Sequence, residues 1–153
     1  MADRTYTIGY DVFAPTHGTT TVSKTIAEIA QENNWTSGTK YYSMDLGDLT
    51  VTLTGGDTYN GKYDSTNQSW DISYDPEHQA QLVVQTKNTS AKIMKIIFNY
   101  TIERGQVYWY EGSSNISSGY ALSPNNNTVT LNMYSTLYGG TVRLTSIEVE
   151  YEV

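Results

Sequence analysis

The chemistry this chain can offer lies in its aromatic rings and in the amides and carboxylates beside them. Tyrosine outnumbers phenylalanine 14 to 2, with three tryptophans besides. So many hydroxylated rings suit half-exposed positions, where a ring packs and its O–H stays wet. A sugar presents C–H faces that stack on such rings, while Asn, Asp and Gln side chains bond its hydroxyls. Six residues are the candidates for ligand contact: Tyr108 and Tyr110 in QVYWYEG, Trp70 in SWDIS, and Tyr59, Asn60 and Tyr63 in GDTYNGKY. The same residue types suit a protein interface, because tyrosine gives contact area at low entropic cost. Trp35, Tyr41, Tyr42, Tyr74, Trp109, Tyr120, Tyr134 and Tyr138 are the other informative aromatic residues, and the tryptophans are expected mainly in the core or covering an edge.

Other chemistries are poorly served. The chain has no cysteine, which removes thiol nucleophiles, CxxC redox pairs and cysteine zinc sites. Gly56, Gly61 and Lys62 have the spacing of a phosphate-binding loop. However, Tyr63 stands where Ser or Thr would hold magnesium, and DSTNQSW cannot open the required helix. Asp57 and Asp64 are weak calcium candidates within an oxygen-rich stretch that also holds Asn60, Asn67 and Asp71, so a structural calcium is the one cofactor considered. His17 and His78 have no second ligand at helical or strand spacing. Asp71, Asp75, Glu103 and Glu111 could supply a glycosidase pair, but nothing in the sequence pairs them, and no G-x-S-x-G is present. A non-enzymatic protein is expected.

The net charge of -7 and the lack of a basic run argue against nucleic acid as a partner. No stretch approaches the roughly 20 apolar residues of a spanning helix, so membrane insertion is not expected. MADRTYTIGY lacks the basic start and apolar run of a signal peptide.

The elements that must position these residues are mostly strands. TYTIGYDVF (5–13) alternates with Tyr6, Ile8, Tyr10 and Val12 on one face, and APTHGTTTV (14–22) reads as a turn-rich linker. One short helix is expected at about 24–34, with Thr25 and Glu28 in capping-box spacing and Trp35 as a lid beyond it. AKIMKIIFNYTI (91–102) is the strongest strand, expected to be central and to form a hairpin with QVYWYEG across Arg104-Gly105. In that hairpin Val107 and Trp109 would face the core, and Tyr108 and Tyr110 the outside. In TVRLTSIEVEYEV (141–153), Val142 and Leu144 are out of phase with Ile147, Val149 and Tyr151, which predicts a β-bulge near Thr145-Ser146. With eight to ten short strands and one helix, the fold class is all-β: a jelly-roll-like β-sandwich of two antiparallel sheets, residues 1–153 forming one domain.

The stretches TIAEIAQENNWTSGTKYYSMDLGDLTVTLTGG, NGKYDSTNQSWDIS, AKIMKIIFNYTI and TVRLTSIEVEYEV together resemble jelly-roll, carbohydrate-binding-module-like domains of gut-bacterial surface proteins and their phages. The resemblance implies an adhesive or glycan-binding appendage in an extracellular, cell-surface or virion setting. SWDIS departs from the pattern, with Asp71 where a basic residue is usual. The expected function is therefore recognition of a glycan or surface protein through tyrosine-rich faces and loops. The alternative is a structural virion or surface-layer protein, such as a capsid decoration or fibre component, whose tyrosines meet other copies or virion neighbours.

Overall fold

The computed structural model describes residues 18–153. Segment 5–13 and His17 lie outside them. The first described strand, β1 (Thr19–Thr25), runs straight into helix α1 (Ile26–Glu32). Ten more strands follow: β2 (Ser43–Asp45), β3 (Leu49–Thr54), β4 (Lys62–Asp64), β5 (Ser69–Ser73), β6 (Gln81–Thr86), β7 (Ile93–Arg104), β8 (Val107–Glu111), β9 (Ser114–Asn115), β10 (Thr128–Ser135) and β11 (Thr141–Glu152).

They form two antiparallel sheets packed face to face, with no closed barrel. The first sheet (sheet A) has β11 at its centre. β7 lies on one side of β11, and β1 and β5 pair with successive parts of it, β4 extending β5. Sheet B runs β2-β3-β6-β10-β8-β9. The core lies between them, built by period-two alternation. Leu49, Val51 and Leu53 of β3, Leu82 and Val84 of β6, and Leu131 and Met133 of β10 face Trp70, Ile72, Val142, Leu144, Ile147 and Val149 from sheet A. Each fully buried aliphatic side chain contributes about 1.5–3 kcal/mol. A void between the sheets near Phe98 and Trp109 measures about 10 Å³, room for a single water at most.

Four expectations are corrected. Residues 19–25 are a strand, because pairing with residues 146–152 of β11 takes up their backbone groups. The helix is consequently shorter than 24–34. Its capping box is present, with the Glu28 N–H donating to Thr25 Oγ1 and the Thr25 N–H to the Glu28 carboxylate. β7 and β8 do not form a hairpin. Their connection crosses from sheet A to sheet B, beside the β10–β11 connection that returns, so that β7 pairs with β11 and β8 with β10. Nor is β7 central. It is an edge strand, covered by residues 116–126 through bridges at Ile93 and Ile96 and a bond from the Gly119 N–H to the Phe98 carbonyl. Such cover removes an aggregation-prone open edge.

The bulge on β11 is present at Thr145, between the Leu144–Tyr100 and Ser146–Asn99 pairs. β7 carries two more, at Met94 and Glu103. Among the described residues no helix is long and apolar enough to cross a membrane.

Candidate functional site

The six candidate residues separate into three places. Trp70, Tyr63 and Asn60 are buried, at 0%, 8% and 1% exposure, and present no face to a ligand. Trp70 packs in the core with its indole N–H shared between the Tyr41 and Gly61 carbonyls at 2.9 and 3.0 Å. Trp35 covers this corner, stacked on Tyr41 at 4.4 Å and edge-on to Tyr63. Asn60 holds a loop: its Nδ2 donates to the Gly55 carbonyl, and its Oδ1 accepts from the Ser73 N–H. A Cβ on Gly56 would come within 2.3 Å of that amide, so glycine is required there.

Tyr108 and Tyr110 lie half-buried on the outer face of sheet B, while Val107 and Trp109 of the same strand are buried, as expected. Tyr108 is paired with Tyr134 across β10, their rings 6.4 Å apart, and Tyr134 meets Tyr74 edge-on at 5.8 Å. Tyr110 lies opposite Asn132, whose Oδ1 accepts from Gln81 Nε2. Thr54 completes the row on β3. This face is flat and almost uncharged, with Asp45 at its far edge tied to Lys87.

Tyr59 stands at the rim of a cleft of about 310 Å³ on the outer face of sheet A. Tyr138 also lines it, and the two rings are 66% and 61% exposed. Their loops hang from the same end of β5. The Tyr59 loop is held by Asn60 and by the Asp57 N–H on the Ser73 carbonyl, and the Tyr138 turn by two backbone bonds between Tyr74 and Gly139-Gly140. Between them the cleft is lined by Asp57, Lys62, Asp71, Glu103 and Arg104. Consecutive strand residues normally point to opposite faces. Glu103 and Arg104 both reach the cleft because Glu103 is the extra residue of a bulge, which re-aims side chains.

Its floor includes Lys62 and Asp71, the first two members of a cross-strand row, Lys62–Asp71–Arg143–Thr101, that runs on beyond the cleft. Asp71, the departure noted in the sequence, therefore lies between two cations. Partial burial nevertheless raises its pKa above the ordinary 3.8, against a 2.6 Å bond from the Ser69 hydroxyl. Arg143 meets Glu103 at 3.7 Å, and its Nε is buried without a partner. Asp57 uses Oδ1 to accept the Tyr59 N–H at 2.8 Å. Among the described residues, Lys62 and Arg104 form no ion pair.

The two calcium candidates are not brought together as a site. Both Asp64 oxygens are taken by Thr66 and Asn67 in the β4–β5 turn, chiefly by the Asn67 amide, which lowers its pKa, whereas Asp57 belongs to the cleft. Among the described residues no group of three or more His, Cys, Asp or Glu side chains could hold a metal. Of the four carboxylates considered for catalysis, Asp71 and Glu103 share the cleft. Asp75 is engaged with His78 and the Glu77 N–H, and Glu111 lies on the other sheet.

Tyr138 entered the sequence reading only as one of the wider aromatic set and Arg104 only as a turn residue, and Gly139 did not enter it. A usable signal existed: two double-glycine turns, Gly55-Gly56 and Gly139-Gly140, each have a tyrosine close by. Comparison of the chain with family models, curated proteins and solved structures finds no match, and of the expected resemblance the two-sheet antiparallel sandwich is what the structure bears out.

Proposed function

We propose that this protein is a non-catalytic recognition module that takes a sugar ring of a surface glycan in the cleft between Tyr59 and Tyr138. One observation carries the reading: the two most exposed tyrosines of the described chain line one cleft whose floor offers both acceptors and donors. Concave sites with apolar walls and a few placed polar groups are where small ligands bind. A sugar hydroxyl both donates and accepts, so Asp57 and Asp71 beside Lys62 and Arg104 match it better than a surface of one sign would.

A glycan array, followed by calorimetry, tests this. Wild-type protein is expected to bind a defined group of glycans. The Tyr59→Ala, Tyr138→Ala double variant is expected to lose at least tenfold in affinity while keeping its circular dichroism and Tm. Absence of any glycan signal, or unchanged binding by the double variant, would sink the proposal.

A second reading rests on sheet B. Its flat, nearly uncharged outer face with Tyr108, Tyr110 and Tyr134 suits contact with another copy or with a neighbour in a larger assembly, the structural alternative. Aromatic enrichment with few charges marks the centre of interfaces. Light scattering decides it: a stable oligomer that dissociates on Tyr108→Ala with Tyr134→Ala supports it, and a monomer at high concentration removes it.

A further inference from the structure

Gly139 lies where a side chain would fill the cleft. A Cβ built on it would be 3.7 Å from Arg104 Nη1 and 3.7 Å from Asp57 Oδ2. Its φ of +77° also disfavours any side chain there. The guanidinium and the carboxylate thus converge on one point from two sides, and they form no ion pair with each other. Asp57 Oδ1 is fixed by the Tyr59 N–H, which leaves Oδ2 for the cleft. Arg104 is aimed by the Glu103 bulge at the end of β7, opposite Thr141.

We propose that this gap reads two adjacent hydroxyls of a neutral pyranose: one donates to Asp57 Oδ2, its neighbour accepts from the Arg104 guanidinium, and the Tyr59 and Tyr138 rings cover the C–H faces. The proposal rests on the cleft being the sugar site, and it specifies the class of sugar. The matched charges select against both ionic classes. A uronate or sialate carboxylate drawn to Arg104 would also face Asp57, and an amino sugar's ammonium drawn to Asp57 would also face Arg104, so each meets a repulsion that a neutral ring does not. A ring with one of the two hydroxyls methylated or absent would leave Asp57 or Arg104 unpaired, which costs more than a missing contact.

The test uses the full chain and ligand-observed NMR titrations with methyl pyranosides of glucose, galactose and mannose, their singly O-methylated and deoxy derivatives, and methyl glucuronide. The isosteric Asp57→Asn variant and Arg104→Gln, which removes the guanidinium at an exposed position, are compared with the Tyr59→Ala, Tyr138→Ala double variant. At least one neutral pyranoside is expected to bind, with losses of about tenfold in Asp57→Asn and in Arg104→Gln and a similar loss on methylating one of two adjacent hydroxyls. Gly139→Ala is expected to abolish binding, with Tm recorded alongside. Binding lost in the tyrosine variant but unchanged in Asp57→Asn and Arg104→Gln overturns this inference and leaves the cleft as the sugar site. Preference for the glucuronide overturns it as well. If no pyranoside binds wild-type protein, both readings fall.

Discussion

The outer faces of the two sheets are built by the same alternation, yet only one of them is a candidate pocket. Sheet B turns Thr54, Gln81, Asn132 and Tyr110 outward in one row, and Thr50, Gln85 and Thr128 in another. Gln81 and Asn132 bond to each other across the row. Sheet A turns out Lys62, Asp71, Arg143 and Thr101, and at one end two loops stand over that row. The difference lies less in residue polarity than in what surrounds it. Double glycines let the Tyr59 and Tyr138 loops fold tightly, Asn60 and Tyr74 pin them, and a bulge brings Glu103 and Arg104 to the same side. A platform of tyrosines is therefore not a site by itself. A pair of pinned loops over a charged floor has the walls and orientation that a small ligand needs.

The comparison breaks most readily at the pin. Asn60→Ala leaves the buried Ser73 N–H and the part-buried Gly55 carbonyl without their Asn60 partner and should cost about 2–3 kcal/mol in urea unfolding. Gln81→Ala, its counterpart on sheet B, removes one bond to Asn132 beside water and should stay within about 0.5 kcal/mol. Equal losses would mean that the loop is not held as described. A smaller effect separates the aromatics. Tyr134→Ala removes the ring between Tyr74 and Tyr108 and should cost about 1 kcal/mol, whereas Tyr138→Ala, with its ring 61% exposed, should leave stability unchanged and affect only binding. A Tm drop in Tyr138→Ala matching that of Tyr134→Ala would make Tyr138 a packing residue and remove it from the site.

The sandwich was largely legible in the sequence because buried alternation writes itself into apolar residues. Thr145 shows the limit and the reach of that signal. Its bulge was found because Val142 and Leu144 are out of phase with Ile147 and Val149, and buried residues report phase. The bulge at Glu103 was invisible for the same reason reversed, since Glu103, Arg104 and Gly105 are solvent-facing and carry no phase. That one missed residue hid half of the cleft. The β7–β8 connection failed differently. A two-residue gap at Gly105-Gln106 fits a hairpin by length, and the choice to cross between sheets was made by partners distant in sequence, β11 for β7 and β10 for β8. Trp70 and Asn60 stood among the candidates for ligand contact because neither alternation nor residue type tells which polar or aromatic residue will be enclosed. Trp70 is enclosed by residues 35–41, and Asn60 by the Gly55-Gly56 loop and Ser73.

The finest distinction between the faces is electrostatic, and it has a sign. On sheet A, burial first and foremost raises the pKa of Asp71, so the folded state keeps its proton to higher pH than the unfolded chain does. Its contribution to stability is full below about pH 3.8 and is lost as pH rises through the folded pKa. On sheet B, the bond from Lys87, followed by the Gly47 N–H, lowers the pKa of Asp45. Its contribution is present above about pH 3.8 and is lost as pH falls through the folded pKa. The two isosteric changes should therefore diverge. Asp71→Asn should gain Tm relative to wild type as pH is raised from 3 to 6, and Asp45→Asn should lose it over the same range. Parallel curves would show that Arg143 and Lys62 stabilise the Asp71 carboxylate as fully as Lys87 does Asp45. The desolvated floor that distinguishes the cleft from the flat face would then be an ordinary solvated surface.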